Sequence, residues 1–453
     1  MRTTMQKNVV GLALAAASGM AMAQSGLDLD RAYAAELRAD ADSRSSLLGA
    51  SSEAGGLNVQ VLMQMRYTAN FRDELAGGPA LGDNDTTIGF SNPRSQVRMS
   101  GAVEGTDLSG QLVFDFGNAT DNGRHTDGQA NLLVAMGAWA LNDDWTLLFG
   151  QWHNPVVAEE AFLPEHTMAV ERSGMNELFN PGYTQGVVFA YTGSDSFKFV
   201  GAIADGATYA GNPSPTNSAI TSQAENDFGF TGRFDFLASG TWDQFADMTS
   251  WKGSNYGAKI GAGFHWQTAG NTNPSTSAGG GNAIFTTLLG EAVDEMDITL
   301  WTVDAQIEGD GWSVFAAYVG HKLEGRGITA GNDLDLTNHG AMVQGSMFLS
   351  DQFEAFARWD SIFWDDVLTT AAGAGADDTT HTITVGGNYY FVPESHAAKF
   401  TVDAVFTLDN SLVSDVVVGA AGGTAGAADA TTTGLLGTSD SEFMLRGQLT
   451  LLF

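Results

Sequence analysis

The chain has 453 residues, with 20 Lys and Arg against 53 Asp and Glu, and a formal net charge of −33. This acidity excludes a nucleic-acid-binding protein, because phosphate contacts need clusters of basic side chains. Cysteine is absent, which excludes disulfides and thiol chemistry. A soluble chain of this length is expected to divide into domains, whereas a membrane barrel stays single.

The amino terminus has the pattern of a secretory signal peptide. Arg2 and Lys7 precede an apolar stretch at 9–17, and the small-residue site at 21–23 predicts a signal over 1–23. No later stretch approaches the roughly 20 apolar residues that a membrane helix needs, so a membrane crossing must use strands of about 10 residues.

Residues 24–55 form a predicted periplasmic leader and linker. Leu29, Tyr33, Leu37 and Ala41 recur at spacing four, which predicts a short amphipathic helix within 27–48. Such a helix is marginal alone. A trimeric coiled coil, a plug on the lumen side and a frayed tether are all compatible with the pattern.

The first strand, predicted at 57–72, alternates between apolar and polar side chains. All its odd-numbered residues from Leu57 to Phe71 are apolar, and seven of the eight others are polar. The last segment, 441–453, has the same period and stops on Phe453. The two patterns indicate an all-β protein whose sheet closes on itself, a transmembrane antiparallel barrel over 56–453 with lipid outside and water inside.

Sixteen segments with this period can be recognised, an even number as single-chain bacterial barrels require. They lie at 57–72, 94–104, 108–116, 130–141, 144–152, 183–192, 196–204, 226–237, 255–267, 296–308, 312–322, 337–349, 353–364, 380–391, 398–409 and 441–453. Short Asp/Gly turns alternate with long polar connections, as in outer-membrane barrels. The connection 238–254 is too long and too aromatic for this rule, which points to a missed bulge or a misplaced strand edge.

Aromatic residues near the predicted strand ends suggest girdles at the two membrane interfaces. A soluble sandwich with an aromatic core is the alternative. The girdle candidates are Phe71, Phe116, Trp145, Trp152, Tyr191, Trp312, Phe363, Trp364, Tyr389 and Phe391.

Several segments resemble the phosphate-selective porin O and P family, most closely between 150 and 206. The matching segments are 150–155 with Glu159 and Glu160, 170–173, 179–187, 202–206, the stretch from Gly89 to Gly101 and 388–391. The resemblance implies a trimer of 16-stranded barrels in which a loop after the fifth strand folds inward and narrows the channel. It also raises phosphate selectivity, which in that family relies on arginine and lysine in the pore. This chain carries only 18 basic residues after the signal, that is 20 less Arg2 and Lys7.

Four arginines are candidates for a charged lumen wall. If the apolar positions of the first strand face lipid, Arg66 faces the lumen, and the same period places Arg98 and Arg446 there. Together with Arg358 they would face acids on a loop and produce the transverse field of general porins. Alternatively, each arginine pairs with a neighbouring carboxylate and only rigidifies the barrel.

The connection 153–182 supplies the constriction candidates Glu159, Glu160, Glu165 and Arg172. Carboxylates at a constriction select cations, because they replace part of the hydration shell of a cation and repel anions. If this loop lies outside the barrel, its acids are merely solvated.

Catalytic, cofactor and metal sites are not predicted. The sequence lacks the phosphate-loop, zinc-helix and nucleophile-elbow motifs, and acidic pairs such as Asp83 and Asp85 lack calcium-loop spacing. The predicted function is therefore passive diffusion of ions and small hydrophilic solutes through an outer-membrane porin with a mild cation preference. A phosphate or oxyanion pore, a structural or adhesive barrel and a barrel hydrolase are the alternatives. The predicted partners are outer-membrane lipid, lipopolysaccharide, solutes and further copies of the chain in a homotrimer of a Gram-negative-type bacterium.

Overall fold

A computed structural model of the chain describes residues 57–72, 86–117, 130–204, 228–269, 293–327, 333–372, 377–409 and 442–453. These residues form sixteen antiparallel strands in a closed barrel. The strands are β1 Asn58–Arg72, β2 Thr86–Ala102, β3 Leu108–Asp115, β4 Asn131–Ala140, β5 Trp145–His153, β6 Tyr183–Tyr191, β7 Phe197–Ala204, β8 Phe228–Ser239, β9 Gly257–Ala269, β10 Val293–Gly309, β11 Trp312–Gly327, β12 Leu334–Phe348, β13 Phe353–Phe363, β14 Thr379–Tyr390, β15 Ala398–Thr407 and β16 Glu442–Leu452. The all-β barrel and the number of strands are thus as the sequence predicted.

The alternation in the sequence becomes the two faces of the barrel wall. In β1, Met65 is 55% exposed on the outer face, whereas Gln64 is fully buried on the lumen face. Successive side chains of a strand point to opposite faces, so one period sorts apolar side chains outward and polar side chains inward.

Strand β1 closes the barrel by pairing with β16. The register places Met65 opposite Leu449 and Arg66 opposite Gln448. Beyond the last paired residues, the Val61 amide donates to the Phe453 carbonyl at 2.7 Å, and the Phe453 amide donates to the Val61 carbonyl at 3.0 Å. The chain therefore uses its final residue to satisfy the edge of its first strand, and closure removes the exposed edges that an open sheet would keep.

Strand β2 differs from its predicted bounds because it begins at Thr86 and not at 94. Pro93 lies within the strand, although proline cannot donate to a strand ladder. In the barrel, the register of β1 and β2 shifts between Gln64 and Arg66, opposite this proline. The proline is tolerated because it lies at a bulge, where two residues of one strand face one of the other.

The connections alternate in length as the sequence predicted, with two exceptions. Each odd-numbered strand leads to the next by a long connection, except for the shorter one at 328–333. Each even-numbered strand leads on by a short connection, except at residues 240–256, the inner turn, which joins β8 to β9 and contains a 3₁₀ helix at Trp242–Ala246. A register shift does occur between Leu237 and Ser239. The connection is nevertheless long in its own right, so a misplaced strand edge is the wrong explanation.

Most predicted girdle aromatics lie on the outer face, but two do not. Trp152 is fully buried and Trp364 nearly so. Both follow the inward parity of their strands, and the Trp364 indole donates to Thr380 Oγ1 on the lumen face at 2.9 Å. Position near a strand end did not reveal which face a side chain takes, because only the parity along the strand decides that.

The barrel interior is occupied by residues 154–182, the inner loop, which connects β5 to β6. It carries two short helices, α1 at Ala158–Ala161 and α2 at Gly174–Phe179. Its apolar side chains form one buried cluster with lumen-facing residues of β10 to β13 and with Met248 of the inner turn. A third helix, α3 at Asp366–Ala372, lies in the connection between β13 and β14.

No helix in the described part of the chain is long and apolar enough to span a membrane. The predicted signal over 1–23, the leader over 24–55 and its helix within 27–48 lie outside the described residues. These boundaries remain predictions from the sequence.

Candidate functional site

The inner loop leaves and rejoins the barrel wall at a closed neck. The Asn154 amide donates to the Gly182 carbonyl at 2.9 Å, and the Gly182 amide donates to Asn180 Oδ1 at 2.7 Å. Gly182 has a φ of +73°, a conformation that glycine adopts without steric cost. The Asn154 side chain then donates to Thr231 Oγ1 of β8 at 3.0 Å, which directs the loop into the lumen.

Helix α2 packs its apolar face on the opposite wall. Ser173 caps it by accepting from the Asn176 amide at 3.0 Å. A Cβ placed at Gly340 of β12 would lie 2.5 Å from Met175 Cγ and 2.7 Å from Phe179 Cε2, so glycine here allows the close approach of the helix. The loop is therefore anchored by apolar burial on one side, which leaves Glu165 and Glu171 to meet the other wall.

Two wall arginines converge on one loop carboxylate. Arg94 of β2 donates to both oxygens of Glu171 at 2.8 Å, and Arg66 of β1 donates to the same carboxylate. All three side chains are nearly or fully buried. Burial opposes ionisation of Glu171, but Arg94 and Arg66 outweigh it and hold the pKa of this carboxyl well below its usual range.

A second arginine–carboxylate pair lies next along β2. Both terminal nitrogens of Arg98 donate to Glu165, the longer contact being 3.0 Å. Burial opposes ionisation of Glu165, but Arg98 outweighs it and lowers the pKa to about 2. Lys399 of β15 supports the same stretch of loop by donating to the Glu165 carbonyl at 2.9 Å and to the Thr167 carbonyl at 2.7 Å.

Arg446 of β16 is paired within the wall. It donates to both oxygens of Asp403 on β15, at 2.8 Å and 2.7 Å. Asp403 Oδ2 also accepts from the Val170 amide of the inner loop at 3.0 Å. This pair therefore joins β15, β16 and the loop, and its charges compensate each other.

Arg358 of β13 contacts the loop from the far wall. It donates to the Glu171 carbonyl at 2.8 Å and lies 3.7 Å from Glu159 and 3.5 Å from Asp360. Glu159 accepts from the Ser173 amide at 3.0 Å and from the Ser173 hydroxyl. Burial raises the pKa of Glu159, although Arg358 and Ser173 oppose that effect.

Glu160 connects His153, at the end of β5, with Arg172 in the second half of the inner loop. It lies 3.0 Å from His153 Nε2 and 3.3 Å from Arg172 Nη1, and it accepts from the Asn176 side chain at 2.5 Å. Burial opposes its ionisation, but Arg172 and His153 outweigh this and lower the pKa to about 2. Arg172 also donates to the Phe162 carbonyl at 2.6 Å.

Glu177 of α2 differs from the other acids of the inner loop. Among the described residues, none donates a hydrogen bond to its half-buried carboxylate or forms an ion pair with it. Burial, followed by the charges of Glu160 and Glu171, raises its pKa to about 8. The loop thus presents one uncompensated acid.

The structure brings all eight candidates from the sequence to one loop and its surroundings. Seven of them contact the inner loop or belong to it, and Arg446 contacts it through Asp403. They are Arg66, Arg98, Glu159, Glu160, Glu165, Arg172, Arg358 and Arg446. Whether they line the path of solutes stays a prediction.

Sequence reasoning did not select Arg94, Lys399, Asp403 or Glu177 as site residues. The parity that placed Arg98 inward also applies to Arg94, once β2 is extended across Pro93. Lys399 and Asp403 likewise follow the inward parity of β15. No signal in the sequence distinguishes Glu177 from its paired neighbours, because pairing depends on the folded loop.

Comparison with known proteins places the fold among porins. No protein-family model and no curated protein sequence matches the chain. An anion-selective porin from Comamonas acidovorans is similar over 88% of this chain and 100% of its own, with a TM-score of 0.54 and 11% identity. OprB of Pseudomonas putida has a TM-score of 0.55 and 10% identity over 91% and 96% of the chains. The outer-membrane channel DcaP of Acinetobacter baumannii has a TM-score of 0.52 and 12% identity, over 89% of this chain and 99% of its own. The likeness shows the porin fold, and the resemblance to phosphate-selective porins stays a prediction.

Proposed function

We propose that this protein is an outer-membrane porin through which ions and small hydrophilic solutes diffuse, with a mild preference for cations. The closed sixteen-strand barrel with an apolar outer face supports this function, because such a barrel can cross an outer membrane. Of the similar structures, the Comamonas protein is a porin and the Acinetobacter protein is an outer-membrane channel. An inner loop that fills part of the lumen would limit passage to small solutes.

The pairing of the lumen arginines carries the cation preference. Glu171 pairs with both Arg66 and Arg94 and offsets one of their two charges, while Glu165 compensates Arg98 and Asp403 compensates Arg446. A compensated arginine attracts anions weakly, because the field of the pair falls off faster than that of a single charge.

The chain as a whole carries a large negative charge, and the mature chain is expected to carry a net charge of −33 − 2 = −35 once Arg2 and Lys7 are removed. The Glu177 carboxyl is counted in this charge and becomes ionised as pH rises through about 8. Acids within a Debye length of about 8 Å of the mouth enrich cations there at physiological salt.

An oxyanion-selective pore is the second candidate. The observation that favours it is the convergence of Arg66, Arg94 and Arg98 at one side of the inner loop. An anion able to displace Glu171 or Glu165 would find several guanidinium donors already positioned. The Comamonas porin of similar fold is anion-selective, which is in keeping with this alternative.

Reversal potentials in a KCl gradient across a planar bilayer test the proposal. We expect K⁺ over Cl⁻, a preference that shrinks at high salt. Measured above pH 8, where Glu177 is ionised, Glu177→Gln should reduce the preference, whereas Glu104→Gln, which removes one charge from an exposed turn, should leave it nearly unchanged. A chloride- or phosphate-preferring wild type would contradict the cation preference and favour the oxyanion pore.

Localisation and assembly belong to the same proposal. The short connections would face the periplasm and the long ones the outside, as in other outer-membrane barrels. The outer face would contact lipid and lipopolysaccharide. We also propose a homotrimer, as the resemblance in the sequence implies, and the mass of the detergent-solubilised protein by light scattering would test it.

A further inference from the structure

At the end of the barrel where the short connections lie, the inner turn is the only long connection among the described residues. The other connections at this end include residues 310–311 between β10 and β11 and residues 349–352 between β12 and β13. Two to five residues suffice to join adjacent antiparallel strands. Residues 240–256 are therefore longer than a hairpin connection needs to be, which indicates a further role for this segment.

This turn enters the barrel and is bonded to the lumen face. Met248, Thr249 and Ser250 are almost fully buried. Ser313 Oγ of β11 donates to the Met248 carbonyl at 2.6 Å, and Gln306 Nε2 of β10 donates to the Asp247 carbonyl at 2.8 Å.

Further anchors fix the two sides of the turn. Ser250 Oγ donates to the Gly309 carbonyl at 2.5 Å, and Thr249 Oγ1 lies 3.3 Å from the Tyr390 hydroxyl of β14. The Trp251 ring packs against the rings of Phe348 and Tyr390, with centroids at 5.2 Å and 4.8 Å. The turn is therefore held by β10, β11, β12 and β14 together.

Inside the barrel the inner turn meets the inner loop. The Met248 amide donates to the His166 carbonyl at 3.4 Å, and the Met248 side chain belongs to the apolar cluster that holds Phe162 and Met168. The His166 ring lies 4.7 Å from the His396 ring. His396 Nε2 in turn lies 3.2 Å from Asp247 Oδ2 of the inner turn.

We propose that the inner turn is a second constriction element, which positions the inner loop from the short-turn end of the barrel and thereby sets conductance and ion selectivity. The inference rests on the proposed channel function. Because loop and turn enter from opposite ends and share one apolar cluster, displacement of either opens a cavity between them. Met248 and Asp247 are the positioning residues, since they contact the loop directly and through His396.

The first experiment measures single channels of turn variants. Replacing residues 241–255 by Asn-Gly, a pair suited to a two-residue hairpin, should raise conductance at least about twofold, increase open-channel noise and weaken selectivity. Met248→Ala should do the same to a smaller extent, and it serves if the shortened chain assembles poorly. Trp242→Ala is the matched control, because this side chain faces Lys198 of β7 at 4.3 Å and not the loop. Folded variants with wild-type conductance, noise and selectivity would overturn the proposal.

The second experiment locates the turn without relying on conduction. The chain has no cysteine, so single thiols can be labelled cleanly. With the barrel in vesicles or detergent, Met248→Cys should resist a membrane-impermeant maleimide, and Lys252→Cys, exposed on the same turn, should react at least about tenfold faster. Equal rates would show that the turn lies outside the lumen and would overturn the proposal. A protected Met248→Cys in a protein that never conducts would instead count against the channel function alone.

Discussion

The Glu177 carboxyl has no ion-pair or hydrogen-bond partner within the described part of the chain, and its raised pKa predicts a pH-dependent selectivity. Burial disfavours its charge, Glu160 and Glu171 add to this effect, and Arg172 and Arg94 oppose it, so that the pKa is raised to about 8. The carboxyl is therefore neutral below pH 8 and ionised above it. We expect the K⁺ preference in a KCl gradient to increase from pH 6 to pH 9.5, with its midpoint near pH 8.

The control for this titration is Glu177→Gln, which should remove the increase and leave the value measured at pH 6. The raised pKa of Glu177 also makes the stability of the folded loop depend on pH. An acid whose folded pKa is raised favours the folded loop below its ordinary pKa, and this contribution is lost as pH rises through about 8. A preference that stays constant from pH 6 to pH 9.5 in the wild type would contradict the assignment of Glu177 to the solute path.

The lumen arginines show how far single residues could be predicted. Parity along the strands placed Arg66, Arg98 and Arg446 on the lumen face, because the period of a strand fixes the side of each residue. Parity does not specify the partner, since Arg98 and Glu165 lie far apart in the chain and meet only after the loop folds inward. The sequence therefore supplied the arginines, and left open whether they are free or paired.

At the scale of elements, the inner loop predicts the effect of removing three of its acids together. Changing Glu159, Glu160 and Glu165 to Gln should reduce the K⁺ preference and loosen the loop, because Arg98 loses its buried partner. Breaking a buried pair costs about 3–5 kcal/mol. We expect a lower temperature of conversion from the folded to the unfolded band on semi-native gels, together with a smaller reversal potential.

Glu104→Gln, Asp107→Asn and Asp143→Asn, three acids of exposed short turns, form the matched control. They remove the same charge without touching the inner loop and should leave the band conversion unchanged. A triple loop variant with wild-type selectivity and wild-type conversion temperature would mean that the loop lies outside the lumen in the membrane.

The inner turn shows that length can be informative where pattern is not. The connection at 238–254 departed from the expected short turn and carried aromatic residues such as Phe245 and Trp251. Its buried residues have no period, because a turn that packs irregularly against several strands repeats no geometry. The unusual length of this connection was visible in the sequence, but its position inside the barrel was not.

At the scale of the whole molecule, barrel closure predicts an assembly defect at the carboxyl terminus. Phe453 is 61% exposed on the outer face, and its backbone pairs with Val61 of β1. Phe453→Ser should leave expression unchanged and reduce the folded, heat-modifiable band in the membrane. Phe391→Ser, an outer-face aromatic at 52% exposure outside the last strand, is the control. Normal insertion of Phe453→Ser would contradict a role of the terminal aromatic in assembly.

The predicted leader gives a further test at this scale. Deleting residues 27–48 while keeping the signal should leave a conducting barrel, because β1 and β16 pair without the leader. Single-channel recording and native gels would follow the outcome. Loss of trimers with intact monomers would support a coiled coil, whereas loss of the barrel itself would contradict the placement of the helix.

The sequence by itself determined the barrel, its sixteen strands and the lumen side of most polar residues. These features follow from the two-residue period of each strand and from the lengths of the connections, both of which can be read directly along the sequence. Only the tertiary structure decided that the inner loop and the inner turn meet inside the barrel, that Glu171 binds Arg66 and Arg94, and that Glu177 has no partner among the residues described. Those facts depend on contacts between residues far apart in the chain, which carry no period and form only when the closed wall brings them together.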